Sequence, residues 1–385
     1  MLNFTFHNPT RIHFGKNQIR EITQEIPKGS RVLIIYGGGS VKKTGLLDKV
    51  KAVLKDYQVS EFSGIEPNPA YDTLMRCVDQ IHMEKCDFLL AMGGGSVIDG
   101  TKFIAAAAFY EGEPWEILKT FGSNIKKALP FGVVLTLPAT GSEMNNGAVI
   151  TRHSEKAKLP FFSPHVYPLF SVLDPILSYT LPRKQIGNGV VDAFVHVMEQ
   201  YLTYPVSGHV QDRFSEGLLL TLIEQGPKAL SDPENYDVRA DIMLCATLAL
   251  NGLIGSGVPQ DWATHMIGHE ITVLYGLDHA QTLAIVLPAM LTIRKNAKRE
   301  KLLQYADRVW DIKIKDEEKR MDMAIEKTRE FFHTMELKTR LSDYEIPREG
   351  IEAIIVQLQE HGMVQLGEKQ DVDPDMCRKV LELCY

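Results

Sequence analysis

Two copies of one strand–turn–helix pattern constrain the fold of this chain more than any other feature. Residues 31–40 (RVLIIYGGGS) and 88–96 (FLLAMGGGS) each join a short apolar run to a GGGS turn, and a helical pattern follows both turns. A third apolar run at 132–142 (GVVLTLPATGS) also ends in a small-residue turn. Strands that alternate with helices in this way are typical of a parallel α/β sheet.

The second half of the chain has a different pattern. From about Arg183 onward, apolar residues recur at helical spacing and β-branched runs are few. The segment 173–184, which carries two prolines, is the natural hinge. We therefore predict an α/β nucleotide-binding domain over 1–183 and an all-α metal-binding domain over 184–385. At the start of the chain, alternating residues 3–14 predict a β-hairpin or an edge pair.

Composition excludes several classes of function. The chain has 385 residues, 44% of them hydrophobic, and a net charge of −7, which argues against a nucleic-acid-binding surface. No apolar run approaches the length that spans a bilayer, so we expect no membrane partner. The five cysteines are odd in number and have no CxxC spacing, as in a reducing compartment. We therefore expect a cytoplasmic protein.

The two GGGS turns are candidate phosphate sites. Glycine allows close backbone approach and positive φ, and the start of the following helix favours an anion. Ser40 and Ser96 can each cap the helix that follows. For either turn taken alone, a plain tight strand-to-helix turn is the favoured interpretation. Neither fits the dinucleotide fingerprint GxGxxG, because Lys42 and Ile98 occupy the third glycine position, so a different α/β arrangement is favoured.

The first turn also bears on the choice of cofactor. In NAD sites, an acidic side chain after an early strand commonly accepts the ribose hydroxyl groups. Here Tyr36 is followed only by glycines and Ser40, with Lys42 and Lys43 nearby. This leaves room and donors for a 2′-phosphate, so we predict NADP(H).

Histidines concentrate in the segment 262–288. It contains His265, His269 and His279, and His265 and His269 are four residues apart. Asp192 and His196 have the same spacing, which puts each pair on one face of a helix. One carboxylate with several imidazoles suits Zn or Fe(II). The alternative is that these histidines are solvated or packed in the core, and a peptidase is not favoured because HExxH is absent.

Taken together, these motifs resemble the iron-containing (group III) alcohol dehydrogenase family, in particular its NADPH-dependent butanol dehydrogenase and aldehyde reductase branch. The resemblance covers essentially the whole chain. It depends on five segments: 93–99 with Lys102, 137–143, 173–175, 192–199 and 262–288. It implies a fold like that of dehydroquinate synthase, with the active site in the cleft between the domains. It also implies a homodimer formed through the N-terminal strands.

The resemblance assigns roles to individual residues. It implies that Asp192, His196, His265 and His279 hold the metal, and that His269 lines the catalytic site beside the nicotinamide. The implied cofactor-binding residues are Gly38, Gly39, Ser40, Asn68, Gly94, Gly95, Ser96, Asp99, Thr136, Thr140, Ser142, Lys158 and Tyr179.

The implied activity is a metal-dependent, NADP(H)-linked interconversion of short- to medium-chain aldehydes and primary alcohols such as butanol. The metal would polarise the aldehyde oxygen and the nicotinamide would supply the hydride. His269 is a candidate proton relay, although a packing role is open. Met144, Leu253, Ile254 and Trp262 are candidate apolar walls of the substrate site, although ordinary core positions are open. The alternatives are an NAD-dependent polyol dehydrogenase of the glycerol type, a dehydroquinate-synthase-like lyase and a non-catalytic binding module.

Overall fold

The structure, a computed structural model, describes all residues 1–385 and divides into two compact units. The α/β unit comprises His7–Leu181 and Glu234–Thr247. The helical unit comprises Met1–Phe6, Pro182–Pro233 and Leu248–Tyr385. This division differs from a single cut after residue 183 in two short segments, 1–6 and 234–247, and it moves the boundary itself to Leu181. The second of these carries Met243, which is buried in the core of the α/β unit.

Eight strands form the sheets of the α/β unit. They are β1 (Arg11–Phe14), β2 (Arg31–Tyr36), β3 (Gln58–Ser63), β4 (Phe88–Gly94), β5 (Phe131–Leu137), β6 (Gly147–Arg152), β7 (Ala157–Phe162) and β8 (Phe170–Leu173). Six of them form a parallel sheet in the order β1-β8-β5-β4-β2-β3, and β6 and β7 form an antiparallel pair.

The parallel sheet is buried on both faces. In β2, Leu33 and Ile35 point into one apolar cluster, whereas Val32 and Ile34 point into another. All four side chains are fully buried, which explains why the strand reads as an unbroken apolar run. Because the strands are parallel, the turns after β2, β4, β5 and β8 all lie at the carboxyl ends of the strands, on one side of the sheet.

The N-terminal segment does not form the predicted hairpin. Residues 1–10 contain no strand, and β1 pairs in parallel with β8 at the edge of the sheet. The alternation of apolar residues was therefore misleading here. Leu2, Phe4 and Phe6 are exposed instead of covering a sheet face.

Fifteen α-helices surround the sheet or build the helical unit. Those in the α/β unit are α1 (Ile22–Glu25), α2 (Ser40–Lys43), α3 (Leu46–Val53), α4 (Tyr71–Glu84), α5 (Gly95–Ala107), α6 (Glu116–Lys119) and nearly all of α9 (Tyr236–Ala249). Those in the helical unit are α7 (Arg183–Tyr201), α8 (His209–Ser231), α10 (Ala263–Tyr275), α11 (His279–Ile293), α12 (Arg299–Arg308), α13 (Glu317–Thr334), α14 (Gly350–Glu360) and α15 (Pro374–Leu383).

The helical unit has its own apolar core. Ile267 and Ile271 of α10 pack there with Val286 of α11 and with Ile354 and Leu358 of α14. These residues recur at three- and four-residue spacing, which leaves other faces of α10 and α11 for polar side chains. None of the helices is both long and apolar enough to cross a membrane. The predicted fold class, an α/β N-terminal part with a helical C-terminal part, is confirmed.

Candidate metal centre and nucleotide site

Four side chains of the helical unit converge on one point. One ligand atom from each of Asp192, His196, His265 and His279 lies within 4.8 Å of the other three. Asp192 Oδ1 is 3.7 Å from His196 Nε2 and 3.8 Å from His279 Nε2. Around a tetrahedral ion with bonds of about 2.0–2.2 Å, the ligand atoms are about 3.3–3.6 Å apart. The two observed separations, 3.7 and 3.8 Å, exceed this spacing by only a few tenths of an ångström.

Three helices bring these residues together. Asp192 and His196 are one turn apart on α7, where both are buried. His265 lies in the first turn of α10, and its ring stacks on that of His196 with 4.7 Å between centroids. His279 is the first residue of α11, just beyond the turn at Gly276, which has a positive φ of 69°.

Glu199 orients His265. It lies one turn beyond His196 on α7, and one of its carboxylate oxygens is hydrogen-bonded to His265 Nδ1. The other oxygen accepts a 2.8 Å bond from the backbone N–H of Thr264, an otherwise unsatisfied donor at the start of α10. With the proton on Nδ1, the lone pair of His265 is on Nε2, the atom available to a metal.

The donor set fits a divalent transition metal. His265 Nε2 is buried and has no hydrogen-bond partner in the protein, although buried polar atoms normally have one. Burial, followed by the charge of His265, lowers the pKa of His196 well below its ordinary value of 6.5. A neutral imidazole is the form that binds a metal. One carboxylate and three imidazoles suit Fe(II) or Zn.

The start of α11 fixes His279. Asp278 is the N-cap and shares a capping box with Gln281, whose side chain accepts from the Asp278 N–H at 3.0 Å. The Asp278 carboxylate also contacts α7, since it accepts from Asn188 Nδ2 at 2.9 Å and from Lys184 Nζ at 2.7 Å. Asn188 is one turn before Asp192 on α7, and Asp278 directly precedes His279. The contact between Asn188 and Asp278 therefore ties together the two helix segments that carry Asp192 and His279.

His269 lies beside the four converging residues and is not one of them. It is buried one turn beyond His265 on α10. Its ring centroid is 5.1 Å from that of His279 and 6.4 Å from that of His265. It can therefore contact a molecule bound at the centre without holding the ion.

In the α/β unit, the second GGGS turn gathers most of the predicted cofactor residues. Gly94 is in register with Leu137 at the end of β5, and Gly95 faces Thr140. The backbone N–H of Asn68 donates to Ser96 Oγ at 3.3 Å, and Lys158 Nζ donates to Asn68 Oδ1 at 2.9 Å. A lysine next to the half-buried start of α5 suits an anionic ligand such as a pyrophosphate.

Below this turn is a buried polar network. Lys102 Nζ donates to Ser142 Oγ at 2.8 Å, to Asn145 Oδ1 at 2.7 Å and to the Gly147 carbonyl at 2.7 Å. Burial lowers the pKa of Lys102 to about 8, against the opposing effect of Asp99 and Glu143. The network joins α5 to the segment that follows β5.

Asp99 belongs to this network. One oxygen accepts from Ser142 Oγ at 2.6 Å and the other from the Val149 N–H at 2.9 Å. Burial raises the pKa of Asp99, although Lys102 and these hydrogen bonds oppose the rise. Both oxygens are thus engaged within the protein, which favours a supporting role for Asp99 over direct contact with a cofactor.

The first GGGS turn is more open. Gly38 and Ser40 are exposed, and Gly39 has a φ of 98°. Glu61 of β3 lies nearby, but Tyr36 Oη donates to it at 2.8 Å and Lys51 forms an ion pair with it. This acidic residue was not anticipated from the sequence, because it is on a neighbouring strand.

The predicted serine caps are wrong. Gly39 and Gly94 are the N-cap residues of α2 and α5, and neither helix has a side-chain cap. Ser40 is inside the first turn of its helix, and Ser96 Oγ instead accepts from Asn68.

The remaining predicted cofactor residues, Thr136 and Tyr179, also lie at the carboxyl ends of the parallel strands. Thr136 is half-buried near the end of β5, and Tyr179 follows β8. Next to Tyr179, Ser178 accepts two hydrogen bonds from Arg239 of α9, at 2.8 and 3.0 Å. Arg239 is almost completely buried, so it fixes the segment that carries Tyr179.

Sequence reasoning assigned no role to Glu199, Asp278 or Lys102. A signal existed for Glu199, because residues 192, 196 and 199 have the spacing of one helix face. Asp278 stands directly before His279 and three residues before Gln281, which is the spacing of a capping box. The partners of Lys102 are 40 to 45 positions away in sequence, so no local pattern reveals them.

The two halves of the chain match family models of the same family. Residues 9–175 match the iron-containing alcohol dehydrogenase model, and residues 187–371 match the C-terminal model of the Fe-containing alcohol dehydrogenase family. The chain therefore belongs to the iron-containing alcohol dehydrogenase family, as the motifs predicted, and is an oxidoreductase.

Among its relatives, the NADPH-dependent aldehyde reductase YqhD of Escherichia coli is 60% identical over 384 residues, which covers 99% of each chain. A probable NADH-dependent butanol dehydrogenase of Bacillus subtilis is 44% identical over 92% of each chain. The crystal structure of E. coli YqhD superposes with a TM-score of 0.99 at 59% identity, and covers 100% of this chain and 99% of that one. These relatives do not favour the polyol dehydrogenase alternative.

Proposed function

We propose that this protein is a metal-dependent, NADP(H)-linked aldehyde reductase and alcohol dehydrogenase for short- to medium-chain substrates such as butanal and butanol. The observation that carries the proposal is the convergence of Asp192, His196, His265 and His279, with His265 oriented by Glu199. The 60% identity with an NADPH-dependent aldehyde reductase supports it.

The residues of the helical unit would hold and orient the reacting carbonyl group. When bound, a divalent Fe(II) or Zn ion supplies a Lewis acid for the carbonyl oxygen, and NADPH supplies the hydride. Asp192 adds one negative charge to three neutral imidazoles, which leaves the loaded centre positively charged and thus attractive to an oxygen. Glu199 and Asp278 keep His265 and His279 in the required orientation.

We propose that His269 passes a proton to the alcohol oxygen. Its ring is 5.1 Å from that of His279, and imidazole titrates in the physiological range. Replacement by asparagine preserves a polar, space-filling side chain but removes the titration. We expect H269N to lower kcat and to flatten its pH profile, whereas an unchanged profile would leave His269 with a packing role only.

The preference for NADP(H) is supported by the charges around the first turn. Ser40 is exposed there, and the carboxylate of Glu61 on the neighbouring strand is already bonded to Tyr36 and Lys51. The charge of Lys51 offsets the repulsion that Glu61 would exert on a 2′-phosphate. We expect kcat/KM to be at least tenfold higher with NADPH than with NADH, and equal values would contradict this preference.

The decisive experiment tests metal and reaction together. A sample stripped by chelator is divided and given Zn, Fe(II) or nothing, and NADPH oxidation is followed with butanal. We expect activity to return only with metal, and D192N to stay inactive in every aliquot. Activity in the stripped sample would overturn the metal dependence, and inactivity in all aliquots would overturn the proposed reaction.

We also propose that the protein forms a homodimer through its N-terminal segment. We further propose that it is located in the cytoplasm, a reducing compartment. Leu2, Phe4 and Phe6 are exposed at 47, 52 and 43%, and β1 is an edge strand of the sheet. All five cysteines are free and buried. For the homodimer, we expect sedimentation equilibrium to give twice the monomer mass. Charged replacements at Phe4 and Phe6 should lower the measured mass toward that of the monomer.

A further inference from the structure

Lys298 is a buried lysine of the helical unit that is not one of the four converging residues. It is the N-cap residue of α12, and its side chain is 1% exposed. Its ammonium group donates to the Leu202 carbonyl at 2.6 Å, pairs with Asp261 at 2.7 Å and contacts both carboxylate oxygens of Glu368, at 3.0 and 3.1 Å. An ammonium group has three N–H donors, so all three are used.

The two carboxylates that share this ammonium group are also buried. The side chains of Asp261 and Glu368 are 5% and 0% exposed. Taking such charges out of water costs free energy that can exceed their mutual attraction, so a buried ion cluster is weak evidence for stability. What the cluster can supply is a single arrangement of the segments that it joins, because each partner must be in place to satisfy the others.

The segments that Lys298 joins are those that build the metal centre. Leu202 is the C-cap of α7, the helix that supplies two of the four converging side chains. Asp261 lies just before α10, four residues before His265. Lys298 therefore ties the end of α7 to the start of α10.

The turn before α10 has a backbone conformation that needs support. Trp262 has a φ of 64°, in the left-handed region that a bulky side chain rarely adopts. Asp261 holds this turn from both sides, because its N–H donates to the Glu199 carbonyl at 2.9 Å and its Oδ1 accepts from the Ala263 N–H at 3.1 Å. The other carboxylate oxygen, Oδ2, pairs with Lys298, so the lysine determines where this carboxylate lies.

Glu199 connects this turn to the metal centre. Its carbonyl accepts from Asp261, and its carboxylate is bonded to His265 Nδ1 and to the Thr264 N–H. A displacement of Asp261 would therefore change the orientation of the His265 ring. Groups that orient a metal ligand in this way control how tightly the ion is bound.

We propose that Lys298 is a positioning residue of the metal centre, which acts through Asp261 and Glu199 to set the affinity for the ion and the arrangement of its ligands. The proposal rests on the proposed function, which supplies the metal. Because Lys298 is not a ligand, its replacement should weaken metal binding while all four ligands remain.

The test compares Lys298 with a second buried lysine of the same helix. Lys301 is three residues further along α12, is 7% exposed and pairs with Asp212 of α8 instead of with the segment before α10. Zn affinity is measured for the full chain by competition with a chromogenic chelator. Since loss of a group that orients a ligand commonly costs 10–100-fold in metal affinity, we expect K298M to lose about tenfold.

The control variant, K301M, should lose less than about twofold in Zn affinity, because its partners are independent of α10. Both substitutions should lower the melting temperature, since each breaks a buried ion pair. An unchanged Zn affinity in K298M would overturn the proposal, because the lysine would then have a structural role only. An equal loss of affinity in K301M would overturn it too.

Two further measurements test the path from the lysine to the ligand. If Lys298 acts through Glu199, K298M should weaken Zn binding much less in an E199Q background than in the parent, and equal effects would overturn the path. The visible absorption of the Co(II)-loaded protein, which reports ligand geometry, should change in K298M but not in K301M. Parent-like absorption in K298M would contradict a positioning role.

A milder variant decides the question if K298M does not fold. D261N leaves Lys298 its bonds to Leu202 and Glu368, and we expect it to lose about threefold in Zn affinity, so a parent-like affinity there would overturn the proposal. None of these measurements depends on turnover. If the parent binds Zn but does not reduce butanal, only the proposed reaction fails, whereas a parent that binds no Zn overturns the metal centre and this proposal together.

Discussion

The two GGGS turns have the same four residues and different physical reasons for their glycines. In the second turn, a β-carbon at Gly93 would lie 2.5 Å from Val97 Cγ2, and one at Gly95 would lie 2.5 Å from Thr140 Cγ2. In the first turn, a β-carbon at Gly38 or Gly39 would have no atom within 4 Å. Gly39 is required instead by its φ of 98°.

The helices that follow the two turns differ in length and in burial. The second turn begins α5, which has 13 residues and is almost entirely buried, whereas the first begins α2, which has four residues. The packing of the protein itself therefore requires glycine in the second turn, whether or not a cofactor binds. In the first turn, the space beside Gly38 is open to a ligand, so this turn carries the stronger evidence for a binding role.

The largest effect should come from Lys102, which supports the second turn. K102M would remove the lysine donor from three hydrogen-bond acceptors and the cation with the largest effect on the Asp99 carboxylate. Because a buried acceptor that loses its donor costs about 1–3 kcal/mol, we expect a loss of about 3–5 kcal/mol in the free energy of unfolding. Denaturant unfolding measures it, and K126M, at an exposed lysine, should change stability by less than about 0.5 kcal/mol.

The same lysine makes stability depend on pH. Its pKa is about 8 in the folded protein, against an ordinary value of 10.5. Between these values the unfolded chain binds the proton and the folded protein does not, so stability rises with pH. The difference between wild type and K102M should therefore widen from pH 8 to pH 10. If the stability difference between wild type and K102M instead narrows over this pH range, the pKa of Lys102 is not lowered in the folded protein.

A smaller effect is expected from G95A. The added methyl group would lie 2.5 Å from Thr140 Cγ2 and 2.6 Å from Thr140 Oγ1. Overpacking of this kind costs about 1–3 kcal/mol. In a double-mutant cycle, T140A removes both atoms and should make G95A less harmful. Additive effects of the two substitutions would show that the turn relaxes by another route.

The smallest effect on stability, and the most informative contrast, is expected from G38A. No atom of the protein opposes the added methyl group, so stability should change by less than about 0.5 kcal/mol. If the first turn contacts the cofactor, KM for NADPH should rise severalfold while the melting temperature stays constant. An unchanged KM would remove the distinction drawn between the two turns.

The sequence was most informative where the physics is local. The strand–turn–helix units and the four-residue spacing of Asp192 and His196 could be recognised because each depends on residues close in sequence. The caps were misjudged at Ser40 and Ser96, since glycine occupies both cap positions. The predicted hairpin over 3–14 was wrong because alternation alone does not specify a partner strand, although residues 11–14 do form the edge strand β1.

Long-range contacts could not be read from the sequence. The antiparallel pair β6–β7, which carries Lys158 to Asn68, has no distinctive pattern in the sequence. The bond from Glu199 to His265 joins residues 66 positions apart.

The division of the chain into units has a consequence for its synthesis. The α/β unit is interrupted after Leu181 and resumes at Glu234 with α9, whose buried Arg239 bonds to Ser178. On a ribosome that adds about 5–20 residues per second, the unit must wait roughly 3–13 s after Leu181 for its last helix. During that interval the site that receives Arg239 and Met243 is unfilled, so we expect the nascent chain to expose apolar surface there that the finished protein buries.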